Sequence, residues 1–125
     1  MRIRNFTIVS ALMVILAVSM LSWKDIKPGP DIPDEVLKLF GNSCFDCHTA
    51  GEKSQDALKA INFDEWNEYK STKKVGILNK IQEVIGEGKM PPKKYLDRNP
   101  EKSLSEEDRN TILTWTKEET GKLLK

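Results

Sequence analysis

Cys44-Phe45-Asp46-Cys47-His48 decides how the rest of this 125-residue chain is read. Two thiols three residues apart lie on about one helical turn, and a histidine follows at once. In that arrangement both sulphurs can add to the two vinyl groups of one porphyrin while the imidazole reaches its iron, the attachment pattern of a c-type haem. Cys44 and Cys47 are expected to hold the porphyrin and His48 to be the proximal iron ligand. The chain contains two cysteines and one histidine, so these five residues hold all of its thiol and imidazole chemistry.

That economy weighs against other uses of the motif. A structural zinc site takes about four ligands, and the chain offers three unless a carboxylate is recruited. A thioredoxin-like redox pair belongs at a helix start that follows a strand, and no alternating strand pattern appears anywhere. A plain disulfide and a haem-free interaction module are the remaining readings.

Working outward, residues 24–33 contain Pro28, Gly29, Pro30 and Pro33 and read as an extended linker. Before it, Arg2 and Arg4 precede an apolar run over residues 6–23, which reads as an export signal or a membrane anchor. Small residues at Ala17 and Ser19 suit cleavage, whereas the continuation to Trp23 and Lys24 suits an anchor at a membrane interface. With basic residues ahead of the segment, the rest of the chain is expected on the outer, periplasmic side of the cytoplasmic membrane. Residues 34–125 then form the haem-binding domain.

Within that domain a first helix is expected from Pro33, with Asp34 and Glu35 in its first turn, Val36, Leu39 and Phe40 facing inward, and Gly41 closing it. Ser54 can cap a short helix through Ala60, and Phe63 and Trp66 read as core aromatics. Ser71 opens a clearer helix, with Val75, Leu78, Ile81, Val84 and Ile85 at helical spacing and Gly86 and Gly88 at its end. The last helix begins at Ser105 with a capping box to Asp108. Ile112, Trp115 and Glu119 lie on one stripe, and Leu123 and Leu124 extend the apolar face. The domain is expected to be all-α, with about three main helices and long loops around one haem.

The second axial ligand follows by elimination. No second histidine exists, and Met1, Met13 and Met20 lie in the expected export segment, which leaves Met90 as the domain's thioether. Pro91 disfavours helical geometry at Met90 and Pro92 stiffens the turn, while Gly88 is expected to relieve crowding beside the porphyrin.

With Arg2 and Arg4 set aside, the balance of 20 basic to 19 acidic side chains turns slightly acidic, which argues against nucleic acid as a partner. Charge is unevenly spread: residues 31–69 are mainly acidic and residues 70–94 mainly basic. Lys89, Lys93 and Lys94, with Lys73 and Lys74, form a basic surface to which an acidic redox partner protein can be steered.

The segments Asn42-Ser43-Cys44-Phe45-Asp46-Cys47-His48, Asn62-Phe63-Asp64-Glu65-Trp66, Gly88-Lys89-Met90-Pro91-Pro92-Lys93-Lys94-Tyr95 and Leu104-Ser105-Glu106-Glu107-Asp108 occur in the order seen in one family. Over residues 34–120 the chain resembles the bacterial haem-binding domain family of small monohaem c-type cytochromes. That resemblance implies a cytochrome c-like fold, thioether links at Cys44 and Cys47, His48 as proximal ligand and Met90 as distal ligand. Family members often carry an aromatic stretch after the haem motif, which residues 49–58 lack. The function to be expected is single-electron transfer by one covalently attached haem c in a protein that is not itself an enzyme. The contrasting expectation is a haem sensor or peroxidase-like protein whose sixth position is open or labile.

Overall fold

A computed structural model describes residues 32–50 and 54–125. The expected export segment 1–23, and the linker 24–33 up to residue 31, lie outside the described residues. Every regular element among the described residues is helical, in agreement with an all-α domain. No helix among them is long and apolar enough to cross a membrane.

The first helix, α1 (Asp34–Ser43), starts after Pro33, whose extended backbone enters the helix without a side-chain cap, and carries Asp34 and Glu35 against the positive end of its dipole. It buries Val36, Phe40 and Ser43, a spacing of four and three that makes one stripe. Gly41 does not end it, contrary to the sequence expectation. The helix runs on for two residues, and the Phe45 ring stands 3.8 Å from where a Gly41 Cβ would lie. The break falls at Cys44, with φ −124° and ψ −38°, and the single turn α2 (Phe45–His48) follows.

A short helix, α3 (Gln55–Ala60), is capped by Ser54, whose hydroxyl accepts from Ala57 N at 3.2 Å. A 3-10 helix (Phe63–Glu68) buries Trp66 and leaves Phe63 half-buried. Helix α4 (Ser71–Gly86) buries Lys74, Ile77, Leu78, Ile81 and Ile85. Its stripe therefore lies slightly to one side of the expected one, taking in Ile77 and leaving Val75 and Val84 half-buried.

Helix α4 ends in a Schellman closure. Gly88 N donates to Ile85 O at 3.2 Å and Lys89 N donates to Val84 O at 2.8 Å. This closure needs a left-handed residue, which Gly88 supplies at φ 67°. A Cβ there would meet Arg109 at 4.0 Å. Gly88 thus ends the helix, as its place in the sequence suggested.

After the cis Met90–Pro91 bond come α5 (Lys93–Leu96) and a 3-10 turn (Pro100–Lys102), neither anticipated from the sequence. Helix α6 (Glu106–Leu123) packs along α4 and also meets α1. It buries Ile112, Trp115, Thr116 and Glu119, with Thr116 donating to Leu113 O and Glu119 paired with Lys122 at 3.3 Å. Leu124 does not extend the apolar face. It lies beyond the last turn and is 70% exposed.

The capping box of α6 is complete: Ser105 Oγ accepts from Asp108 N at 3.1 Å and Asp108 Oδ2 accepts from Ser105 N at 2.9 Å. The Ser105 backbone bond, then the side-chain bond, hold the Asp108 carboxyl below the ordinary carboxylate value. Ser105→Ala should cost about 1 kcal/mol in denaturant unfolding at neutral pH. A carboxyl held low contributes its stability above its unfolded value of about 3.9 and loses it as pH falls through the lower folded value. The gap between wild type and Asp108→Ala should therefore be full at pH 7 and close only below about pH 4.

Candidate functional site

The helix break at Cys44 aims the motif. Cys44 O accepts from both Cys47 N and His48 N at 3.1 Å, which folds the five residues into one turn. Thr49 Oγ1 donates back to Phe45 O at 2.6 Å, and Ala50 N donates to Asp64 Oδ2 at 2.7 Å, tying the end of the turn to the 3-10 helix.

Two adjoining clefts open beside that turn. Cys44, His48, Ala60 and Met90 line both, and Cys47 lines the second with Pro91, Pro92 and Tyr95. The four residues expected at the site are thus brought together, although His48 and Met90 lie in segments joined only through α3, the 3-10 helix and α4. The first cleft is walled by Phe40, Ile61, Phe63 and the α4 residues Ile77, Ile81, Val84 and Ile85, with Lys80 as the charged residue of its lining. Part of the expected α4 core stripe is therefore the wall of a mainly apolar cleft.

His48 is oriented by backbone. Its Nδ1 lies 3.1 Å from Ala57 O and 3.1 Å from Ile61 O. Both partners are acceptors, so Nδ1 carries the proton and Nε2 keeps its lone pair for a metal. The Phe63 ring stands at 80° to the imidazole with centroids 6.2 Å apart, fixing its plane. The aromatic packing continues from Phe63 to Phe40 at 4.8 Å and from Phe40 to Trp115 at 5.7 Å. Residues 49–58, which lack the aromatic stretch common in the resembling family, contribute instead the Ala57 carbonyl.

Burial, and then the neighbouring Cys47, push the Cys44 thiol up to about 12. A redox-active Cys-x-x-Cys pair needs the opposite, a thiol pulled down toward neutral pH. Among the described residues no group of three or more His, Cys, Asp or Glu side chains is placed to hold a metal ion by itself. One imidazole nitrogen, one thioether and two thiols around an apolar slot are the donor set that suits a haem.

The methionine wall is held from two sides. Lys89 N and Met90 N share Val84 O as acceptor, and Pro91 is buried. Farther along, Tyr95 Oη donates to Asp46 Oδ2 at 2.6 Å, and that bond, followed by burial, pushes the Tyr95 phenol up to about 12.

The basic surface is smaller than the sequence suggested. Lys74 is 7% exposed, with its Nζ 5.3 Å from the Trp66 ring, so its stem packs into the core rather than offering a docking charge. Lys73 lies over the Tyr69 ring at 3.8 Å and Lys89 pairs with Glu87. Lys93 and Lys94 are exposed.

Comparison with known proteins gives one match. The model of a family described as Haem-binding domain aligns with residues 51–118, more than half of the chain. The aligned region begins just after His48 and includes Met90, so it is independent of the Cys-x-x-Cys-His motif. No curated protein and no solved structure matches the chain.

Proposed function

Since this chain belongs to the haem-binding domain family and binds haem, we propose that it is a monohaem c-type cytochrome with a cytochrome c-like fold that carries single electrons between partner proteins. Residues 34–125 form the haem unit, and residues 1–23, joined by the linker 24–33, direct it to the periplasmic side of the cytoplasmic membrane as a cleaved signal or a retained anchor.

The observation that carries this reading is the pinning of His48 Nδ1 by two backbone carbonyls, on clefts shared with Cys44, Cys47 and Met90. A haem held there supplies a one-electron ferric/ferrous couple. Cys44 and Cys47 would hold the macrocycle through thioether bonds, and His48 Nε2 and the Met90 sulphur, on residues that line both clefts, would serve as iron ligands. The Ile61, Ile77, Ile81 and Ile85 side chains keep water away, which favours the less charged, reduced state. On this reading the sole histidine is committed to iron, and the protein transfers electrons without catalysing a reaction of its own. Lys93 and Lys94 steer an acidic partner toward the methionine side, and the rate of transfer to that partner should fall as salt rises; a rate indifferent to salt would exclude the steering.

The protein matured in a host that attaches haem c tests the whole reading. Haem retained through acid-acetone extraction marks covalent attachment, and a weak ferric band near the red end of the spectrum marks methionine on iron. Ready carbon monoxide binding by the ferrous form, with no such band, would make the protein a sensor or peroxidase-like instead.

A further inference from the structure

The Tyr95–Asp46 bond joins the two walls of the cleft. Asp46 lies inside the haem motif, one residue before Cys47, and Tyr95 lies five residues beyond Met90. At 2.6 Å the phenol donates to a carboxylate, the stronger kind of hydrogen bond. Two weaker contacts run beside it: Lys102 Nζ lies 3.6 Å from the same Asp46 oxygen, and Asn42 Nδ2 donates to Glu101 O at 3.3 Å. Between Met90 and Tyr95 the chain consists of two prolines and the first residues of a one-turn helix, a stiff stretch that transmits position. On its other side Met90 is tied to α4 through the shared Val84 carbonyl, with Met90 N at 3.3 Å.

We propose that the Tyr95–Asp46 bond is a latch that holds the Met90 wall closed over the haem iron, so that it regulates access of external ligands to the sixth position. Tyr95 is a positioning residue, acting on the site through the 91–95 segment. The latch rests on the His48/Met90 reading given above. With it intact, the methionine returns to iron faster than an outside ligand can take its place. With it cut, the wall opens more often, and any ligand that binds the open form gains in apparent affinity by the factor by which opening becomes easier.

The test is imidazole titration of the ferric, haem-loaded protein, with the red-end methionine band as readout. Tyr95→Phe keeps the ring and removes the donor, and should bind imidazole about tenfold more tightly than wild type. Asp46→Ala, which leaves Cys-x-x-Cys-His intact and also loses the weaker Lys102 contact, should give at least the same gain, and the double variant no more than Asp46→Ala alone, since the Tyr95 bond is already cut. A bond that served only overall stability would lower the thermal midpoint and leave imidazole affinity unchanged. That outcome, or gains that multiply in the double variant, overturns the latch. If Asp46→Ala fails to mature, Tyr95→Phe decides alone. Absence of the methionine band in wild type overturns the ligation reading and the latch with it, whereas a band in wild type with unaltered imidazole affinity in Tyr95→Phe overturns only the latch.

Discussion

Met90→Ala will abolish the ferric red-end band, let the ferrous protein bind carbon monoxide readily, and lower the reduction potential by on the order of 100 mV. The thioether is a soft, neutral donor that favours ferrous iron, and no second histidine or domain methionine stands ready to replace it. Water entering in its place is a harder donor, and it brings polarity into a cleft otherwise walled by Ile77, Ile81, Val84 and Ile85. Both changes favour the ferric state and push the potential the same way. Haem attachment at Cys44 and Cys47 should survive, because the turn that carries them is held by its own backbone bonds to Cys44 O, which the substitution leaves intact. A Met90→Ala protein with wild-type spectrum and potential would show that another group holds the sixth position.

Phe40→Ala should lose about 3–5 kcal/mol in urea unfolding of the haem-loaded protein, the large-to-small cost for a fully buried ring. Phe40 is 1% exposed and packs against Phe45, Phe63 and Trp115, so the space it leaves is bounded by rigid rings that cannot collapse into it. Against a total of about 5–15 kcal/mol such a loss consumes much of the margin. The same side chain lines the cofactor cleft, so the hole would also open a path for water toward the haem. Leu124→Ala, at a position 70% exposed, provides the contrast and should stay within about 0.5 kcal/mol of wild type. An unchanged midpoint for Phe40→Ala would mean that the aromatic packing between α1 and α6 is not where stability lies.

The parts of this site legible in the sequence are those written as side chains in short runs. Cys44, Cys47 and His48 lie within one turn, and Met90 stood out because the domain has no other methionine. The groups that orient His48 are carbonyls of Ala57 and Ile61, and every residue has a carbonyl, so no residue type announced them. Lys74 misled for a different reason: its charge marks it as surface, but a four-carbon stem can be buried against Trp66. The Tyr95–Asp46 bond spans 49 positions and depends on how α5 returns to α2, which only the folded chain reveals. The three long helices were readable from caps and periodicity, down to the reciprocal bonds of Ser105 and Asp108. Gly41 was over-read as a stop because glycine also occurs inside helices where a neighbouring ring, here Phe45, lies close.

The closure of α4 at Gly88 also bears on which chain lengths the protein can tolerate. Only Lys89 separates the left-handed residue from Met90, and both following amides are fastened to Val84 O. One inserted residue there would carry the sulphur some 3 Å along the chain, farther than a bond to a metal can stretch. Residues 97–99, between two short exposed turns and beyond the latch, face no such demand. Insertions and deletions among relatives should therefore gather after Leu96 and be missing between Ile85 and Met90, a pattern that sequencing of further family members can test without purifying any protein.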